Sequence, residues 1–171
     1  MRTRLSRIRH EPRRRDPQPA DAHWDGDGGK AWVETQAIMD AMFAGIAARL
    51  AETASDSGAA NILDIGCGTG AVSIAAAKAA PAAEITGIDI SSPMLALARE
   101  RAAEAGVNAR FVHGDAETHA FEPARQELLL SRFGVMFFAD PVHAFSNLLT
   151  ASKPGARMHL YAWRSPAENA F

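Results

Sequence analysis

The sequence predicts an α/β fold in which a doubly wound, mostly parallel sheet lies between two layers of helices, giving three layers. Five short apolar segments alternate with segments of helical periodicity, which is the order that builds parallel strands joined by right-handed crossovers. A glycine-rich turn follows the first predicted strand, and aspartates stand at or just after the ends of the first three strands. Ligands of such sheets bind outside the carboxyl ends of the strands, so these residues predict a ligand site there.

Caps and stops set the predicted element boundaries. Helical spacing of apolar residues predicts a first helix over about 31–54, after a flexible turn at residues 25–29. A later helix begins at Ser91-Ser92-Pro93, which supply a hydroxyl cap and a first-turn proline, and Gly106 ends it. The other predicted helices are 71–80 and 141–152, the latter stopped by Lys153-Pro154-Gly155. The predicted strands are 60–65, 85–89, 109–113, 128–131 and 157–163.

Length and composition indicate one cytoplasmic domain. The chain has 171 residues, enough for one well-buried core. Its single cysteine, Cys67, has no internal disulfide partner, which favours a reducing compartment. The sequence contains no apolar run of the roughly 18 residues that cross a bilayer, and its start lacks the apolar core of a secretory signal.

Charge is distributed unevenly along the chain. The first 16 residues hold seven arginines, and the prolines among the charges of residues 1–22 predict a disordered basic arm. The rest of the chain is acidic, with 11 Lys or Arg against 18 Asp or Glu, which disfavours nucleic acid as a partner.

Two ligand classes compete for the glycine-rich turn. Gly66, Gly68 and Ala71 match the dinucleotide spacing G-x-G-x-x-G/A, and Asp89 lies near the expected distance for a ribose-binding acid. That pattern leaves a nicotinamide-dependent oxidoreductase open. Asp64 and Asp115 argue against it, because they add negative charge where a pyrophosphate would rest.

S-adenosylmethionine matches the same charges better. Asp64 could attract its ammonium group, and the helix start at residues 69–72 offers N–H groups to its carboxylate. Asp89 could accept from the ribose hydroxyls, and Asp115 from the adenine amino group. The sequence therefore favours a cationic methyl donor as the cofactor.

Three segments carry a family resemblance: residues 63–70 (LDIGCGTG), 87–91 (GIDIS) and 114–117 (GDAE). In this order they resemble the cofactor motifs of class I S-adenosylmethionine-dependent methyltransferases, in particular the small-molecule branch of ubiquinone and menaquinone biosynthesis. Residues 131–138 and 153–157 are similar to later segments of that family. The resemblance covers about residues 23–171, and it implies methyl transfer to an O, N or C atom of a small molecule.

The resemblance also implies the site residues. Cofactor contacts are expected at Asp64, Gly66, Gly68, Asp89, Asp115 and Ala116, and the predicted site further includes Cys67, Gly70, Ile90, Met94 and Ser131. Ser131 and Arg132 would border both methyl donor and acceptor, and Met94 is a candidate to pack on the adenine. Trp24 and Trp32 could gate the cofactor. No catalytic residue is assigned, although His113 or His143 could serve as a general base, and the histidine spacing predicts no metal site.

The predicted sheet departs from the family at its end. Relatives usually have seven strands, whereas five are predicted here, so we expect a chain truncated at its C-terminus. The fifth strand would then be an exposed apolar edge carrying Met158, Leu160 and Ala162, which could be covered in a homodimer. A truncated body that binds the cofactor without catalysis stays open as the alternative function.

Overall fold

In the part of the chain that the structure describes, the sheet has five strands, all parallel. The computed structural model describes residues 23–168, so the predicted basic arm lies outside the described residues. The strands are β1 (Asn61–Ile65), β2 (Glu84–Asp89), β3 (Ala109–His113), β4 (Gln126–Arg132) and β5 (Ser152–Tyr161). They lie in the order β3-β2-β1-β4-β5. The predicted doubly wound parallel sheet is confirmed.

Helices cover both faces of this sheet. They are α1 (Asp27–Glu34), α2 (Gln36–Met42), α3 (Ala44–Ser57), α4 (Ala71–Ala79), α5 (Ser92–Glu104) and α6 (Pro141–Ala151), with 3₁₀ turns at Gly134–Phe137 and Pro166–Glu168. Successive residues of β1 point to opposite faces of the sheet. Ile62 packs in one core cluster with Leu50 of α3, whereas Leu63 packs in another with Leu148 of α6. The three predicted layers are therefore present.

The strand order of the sheet reverses direction at β1. This strand pairs with β2 on one side and with β4 on the other. The loops that leave β1 and β4 consequently diverge to opposite sides and open a crevice at the carboxyl ends of the strands.

The structure corrects two predictions in the N-terminal segment. The single helix predicted over 31–54 is three helices, which are separated at Thr35 and Phe43. Residues 27–29 of the predicted flexible turn at 25–29 instead belong to α1, and Gly29 is buried. A side chain at Gly29 would overlap the carbonyl of Trp24 and the hydroxyl of Ser91. The glycine here therefore serves close packing of α1 against the start of α5, not chain flexibility.

The fifth strand begins earlier than predicted. The predicted stop at Lys153-Pro154-Gly155 lies inside β5, which already pairs with β4 at Ser152. A register shift between Gln126 and Leu128 accommodates these residues, and Gly155 has φ of +83°. Proline is tolerated there because β5 is an edge strand of the described sheet. Within residues 23–168, every helix is too short or too polar to cross a membrane.

Candidate ligand-binding site

A cavity of about 340 Å³ lies at the carboxyl ends of the strands. Its volume falls within the range of about 300–1,000 Å³ that small-molecule sites occupy. The loops after β1, β2, β3 and β4 form its floor and sides, and Trp24 and Trp32 of the N-terminal segment contribute a further wall. The cavity therefore occupies the crevice that the strand order creates.

The glycine-rich loop after β1 is folded tightly against its neighbours. The backbone N–H groups of Gly66 and Cys67 both donate to the carbonyl of Ile88, at 2.9 and 3.1 Å. Gly66 has φ of +64°, and a Cβ placed there would lie 2.5 Å from Cα of Gly134. Only glycine meets both conditions at this position. Cys67 is buried, and burial raises the pKa of its thiol, so the side chain stays protonated.

Asp64 lies at the end of β1 and is 1% exposed. Its Oδ2 accepts a hydrogen bond from Ser73 Oγ at 2.6 Å, whereas its Oδ1 has no hydrogen-bond partner. Burial raises the pKa of Asp64 to about 7, with a smaller contribution from the charge of Asp89, and against the opposing effects of Ser73 and Arg132. A cation that reached Oδ1 would stabilise the charged form.

Asp89 lies at the end of β2 and closes the loop from the other side. Its Oδ2 accepts from the N–H of Gly68 at 2.7 Å, and its Oδ1 accepts from the N–H of Ser91 at 2.9 Å. Burial raises the pKa of this carboxyl group, while these backbone hydrogen bonds oppose the shift. Each oxygen retains a lone pair for a further donor, so Asp89 is able to bind hydroxyl groups in the cavity.

The loop after β3 supplies the opposite rim. Asp115 is exposed, and its Oδ1 accepts from the N–H of Glu117 at 2.9 Å. Glu117 Oε2 in turn accepts from the N–H groups of Ala139 and Asp140, at 3.0 and 3.2 Å. This carboxylate therefore joins the β3 loop to the start of α6.

Arg132 brings positive charge to the same cavity from the end of β4. Its side chain is 9% exposed. The Nη2 atom lies 3.3 Å from Asp40 Oδ1 of α2, and the guanidinium lies 5.8 Å from the ring centroid of Phe43. The Nη1 atom is buried without a hydrogen-bond partner. Asp40 also pairs with Arg101 of α5, which donates to the carbonyl of Thr69 in the glycine-rich loop.

Aromatic side chains form the wall above these charges. Trp24 contacts Trp32 and Phe137, with ring centroids 6.1 and 5.0 Å apart. The segment that carries Trp24 is attached to α5, because Asp25 Oδ1 accepts from the N–H of Ser92 at 2.7 Å. That hydrogen bond lowers the pKa of Asp25 and keeps it charged at the positive end of the α5 dipole.

The structure brings most of the sequence-predicted residues to this cavity. Those that line it are Asp64, Gly66, Cys67, Gly68, Asp89, Ile90, Met94, Asp115 and Ala116. Gly70 and Ser131 do not line it. A side chain at Gly70 would meet Ala98 and Phe111, so this glycine serves packing, and Ser131 is fully buried with its hydroxyl bonded to the carbonyl of Ile65.

Some lining residues lie outside the predicted cofactor set. They are Trp24, Trp32, Thr69, Glu117, Arg132, Phe133, Phe137 and Phe138, among others. Arg132 carries a signal in the sequence, as a charged residue ending an apolar strand, but the sequence predicts it only as a border of the site. Neither His113 nor His143 lines the cavity, so neither is placed to act as a general base there.

The chain is similar in sequence to known methyltransferases. Residues 62–155 match the family described as "Methyltransferase domain". A demethylmenaquinone methyltransferase of Thermus thermophilus is 32% identical over 123 residues, which are 72% of this chain and 56% of that protein. The chain spans about half the length of the curated relatives that it matches.

Solved structures show the same architecture. A proposed S-adenosyl-L-methionine-dependent methyltransferase of Methanococcus maripaludis is 29% identical with a TM-score of 0.71, over 86% of this chain and 66% of that one. A phosphoethanolamine N-methyltransferase of Haemonchus contortus, solved with phosphomonomethylethanolamine and S-adenosylhomocysteine, is 28% identical. Its TM-score is 0.58, over 66% of this chain and 27% of that one.

Proposed function

The chain belongs to the methyltransferase domain family, as its motifs predicted, and we propose that it transfers the methyl group of S-adenosylmethionine to an O, N or C atom of a small molecule. The observation that carries this proposal is the charge of the cavity. Asp64, Asp89 and Asp115 surround a bare glycine-rich loop, and Oδ1 of Asp64 has no partner. A ligand with cationic groups and hydroxyls satisfies these carboxylates, whereas the pyrophosphate of a dinucleotide would be repelled by Asp64.

Five of the lining residues have a role in this proposal. Asp64 Oδ1 accepts a hydrogen bond from the ammonium group of the cofactor, and Asp89 accepts from its ribose hydroxyls. Ile90 and Met94 offer apolar surface to the adenine, and Asp115 offers an acceptor to its amino group. The cofactor supplies a methyl group bound to sulfonium, and the chain supplies position and a dry environment. Such positioning is sufficient for much of the rate of a displacement reaction.

The acceptor is proposed to be small and largely apolar. Trp24, Trp32, Phe137 and Phe138 line the cavity together with the carboxylates. The similarity to demethylmenaquinone methyltransferases agrees with an acceptor that packs against aromatic side chains. The acidic body of the chain agrees with a small molecule in preference to nucleic acid.

Binding and turnover test the proposal separately. Calorimetric titration of the purified chain with S-adenosylhomocysteine should show binding, and titration with NADH should show none. Tight binding of NADH without S-adenosylhomocysteine binding would overturn the cofactor assignment. A methyl-release assay over a panel of small aromatic and aliphatic acceptors then tests catalysis. Cofactor binding without turnover on any acceptor would instead favour the alternative function, a protein that binds the cofactor without catalysis.

A further inference from the structure

Two buried atoms in the cavity have opposite charge and no partner. Among the residues that the structure describes, the buried side-chain nitrogen and oxygen atoms without a hydrogen bond are Asp64 Oδ1 and Arg132 Nη1. Both residues line the same cavity, and both side chains are at least nine-tenths buried. Buried charged groups are normally paired, because desolvation without a partner costs free energy.

These two groups lie near each other without meeting. The positive charge of Arg132 lowers the pKa of Asp64, against the larger effect of burial. Arg132 forms its ion pair with Asp40 through Nη2, and Asp64 takes its hydrogen bond from Ser73 through Oδ2. In each residue the atom that is held by the protein is therefore distinct from the atom that is free.

We propose that Asp64 and Arg132 together bind the zwitterionic amino-acid end of S-adenosylmethionine. Asp64 Oδ1 accepts from the α-ammonium, and Arg132 Nη1 donates to the α-carboxylate. A ligand that carries both charges on one carbon satisfies both free atoms at once. This inference rests on the proposed function. It adds Arg132 to the N–H groups at the start of α4 as a partner of the carboxylate.

Two contacts hold the guanidinium of Arg132 in place for this binding role. Asp40 of α2 holds one edge, and the ring of Phe43 lies 5.8 Å from its carbon. Because one edge is fixed, the other edge is directed with little loss of side-chain entropy on binding. Charge-assisted hydrogen bonds of this kind are stronger than neutral ones.

Three ligands separate this role from others. S-adenosylhomocysteine carries both charges, its decarboxylated analogue lacks the carboxylate, and 5′-methylthioadenosine lacks the whole amino-acid end. We expect the wild-type protein to bind S-adenosylhomocysteine at least tenfold more tightly than the other two. Arg132→Gln should weaken S-adenosylhomocysteine by about 10- to 100-fold, which is the range of a lost charge-assisted hydrogen bond. The affinities of the Arg132→Gln protein for the two truncated ligands should change by less than about threefold, which is small compared with the loss for S-adenosylhomocysteine.

Arg101→Gln is the matched control. Arg101 shares Asp40 with Arg132 but does not line the cavity. This substitution should change the affinities for all three ligands by the same factor. The variant should therefore keep the wild-type preference for the ligand that carries the carboxylate. Arg132→Lys, which retains the charge, should recover part of that preference and serves if Arg132→Gln does not fold.

The outcomes are distinct. An Arg132→Gln protein that retains the wild-type preference for S-adenosylhomocysteine over its decarboxylated analogue overturns the inference. So does unchanged S-adenosylhomocysteine affinity with a raised KM for an acceptor, which would move Arg132 to the acceptor. Wild-type binding of all three ligands with equal affinity also overturns it while leaving the cofactor assignment intact. Failure of the wild-type protein to bind any of the three contradicts the proposed function itself.

Discussion

The carboxyl group of Asp64 lies at the end of β1 between a core that excludes water and a cavity that admits a ligand. Burial raises its pKa to about 7, so in the free protein it is partly protonated near neutral pH. Two charged side chains also affect this pKa. Arg132 favours the ionised form of Asp64, and Asp89 opposes it. A ligand ammonium at Oδ1 would shift this balance towards the ionised form.

The pH dependence of binding follows from this shift. Binding that requires ionised Asp64 should tighten by up to tenfold for each pH unit between about 5 and 7, and level off above that pKa. We expect this profile in calorimetric titrations with S-adenosylhomocysteine, together with proton release on binding. For the free protein the sign is opposite: a raised native pKa means that stability contributed by Asp64 falls as pH rises from about 4 through 7.

The matched variant is Asp64→Asn. Asparagine is nearly isosteric with aspartate and does not titrate. The variant should therefore bind S-adenosylhomocysteine weakly, with an affinity that does not change between pH 5 and 7. A wild-type affinity that is flat between pH 5 and 7 would contradict the assignment of the ammonium to Asp64.

Two separate features of the structure require glycine at position 66. Its φ is +64°, and a Cβ there would lie 2.5 Å from Cα of Gly134. We expect Gly66→Ala to lower the free energy of unfolding by about 2–5 kcal/mol, from backbone strain and from overlap with a backbone that has little room to move. Urea denaturation measures this change.

Gly58→Ala is the control for the backbone alone. Gly58 has φ of +65°, and a Cβ placed there would meet nothing within 4 Å. Its substitution should therefore cost about 1–2 kcal/mol, which is the effect of the left-handed conformation without a clash. Equal losses in the two variants would show that contact with Gly134 contributes nothing.

At the scale of elements, the strands and helices around the sheet were largely predictable from sequence. The predicted strand at 109–113 coincides with β3, and helices 71–80 and 141–152 differ from α4 and α6 by one residue. Their boundaries are set by local signals, namely glycine turns, Pro81 and the Asp140 cap with Pro141. Local signals act within a few residues, so sequence reasoning finds them.

Elements whose boundaries depend on tertiary contact were not predictable in the same way. The breaks at Thr35 and Phe43 carry no glycine or proline, and Phe43 is buried against Phe133 and Trp163. Phe133, which directly follows Arg132, likewise has φ of +71°, a conformation that no local signal indicates. Aromatic packing on both sides of Phe133 holds that conformation.

The attachment of α1 to α5 is a testable element-scale feature. Gly29→Ala should displace α1, because its side chain would overlap the carbonyl of Trp24 and the hydroxyl of Ser91. We expect faster proteolytic cleavage within residues 23–43 and about tenfold or greater weakening of S-adenosylhomocysteine binding, since the wall that carries Trp24 is lost. Gly28→Ala is the control, because the atoms nearest to its added side chain would be in the ring of His23, a side chain that can shift more easily than the backbone carbonyl that faces Gly29. Equal protease resistance in both variants would contradict a close-packed role for Gly29.

For the whole molecule, the cavity joins parts of the chain that are far apart in sequence. Trp24, the glycine-rich loop, the β3 loop and the turn after β4 all line it. A ligand bound there contacts each of these segments in the native state and none of them together in the unfolded chain. Binding and global stability are therefore linked.

This linkage predicts a concentration-dependent rise in melting temperature. At a free S-adenosylhomocysteine concentration 100 times its Kd, the native state gains about 2.7 kcal/mol. A domain of this size shifts by about 2–4 °C per kcal/mol, so Tm should rise by about 5–11 °C in a thermal melt followed by circular dichroism. 5′-Methylthioadenosine at the same concentration should give a smaller shift, because it leaves Asp64 and Arg132 without partners. NADH should give none, since its pyrophosphate would meet the negative charge of Asp64. A larger shift with NADH than with S-adenosylhomocysteine would mean that the carboxylates around the glycine-rich loop do not select the ligand by charge.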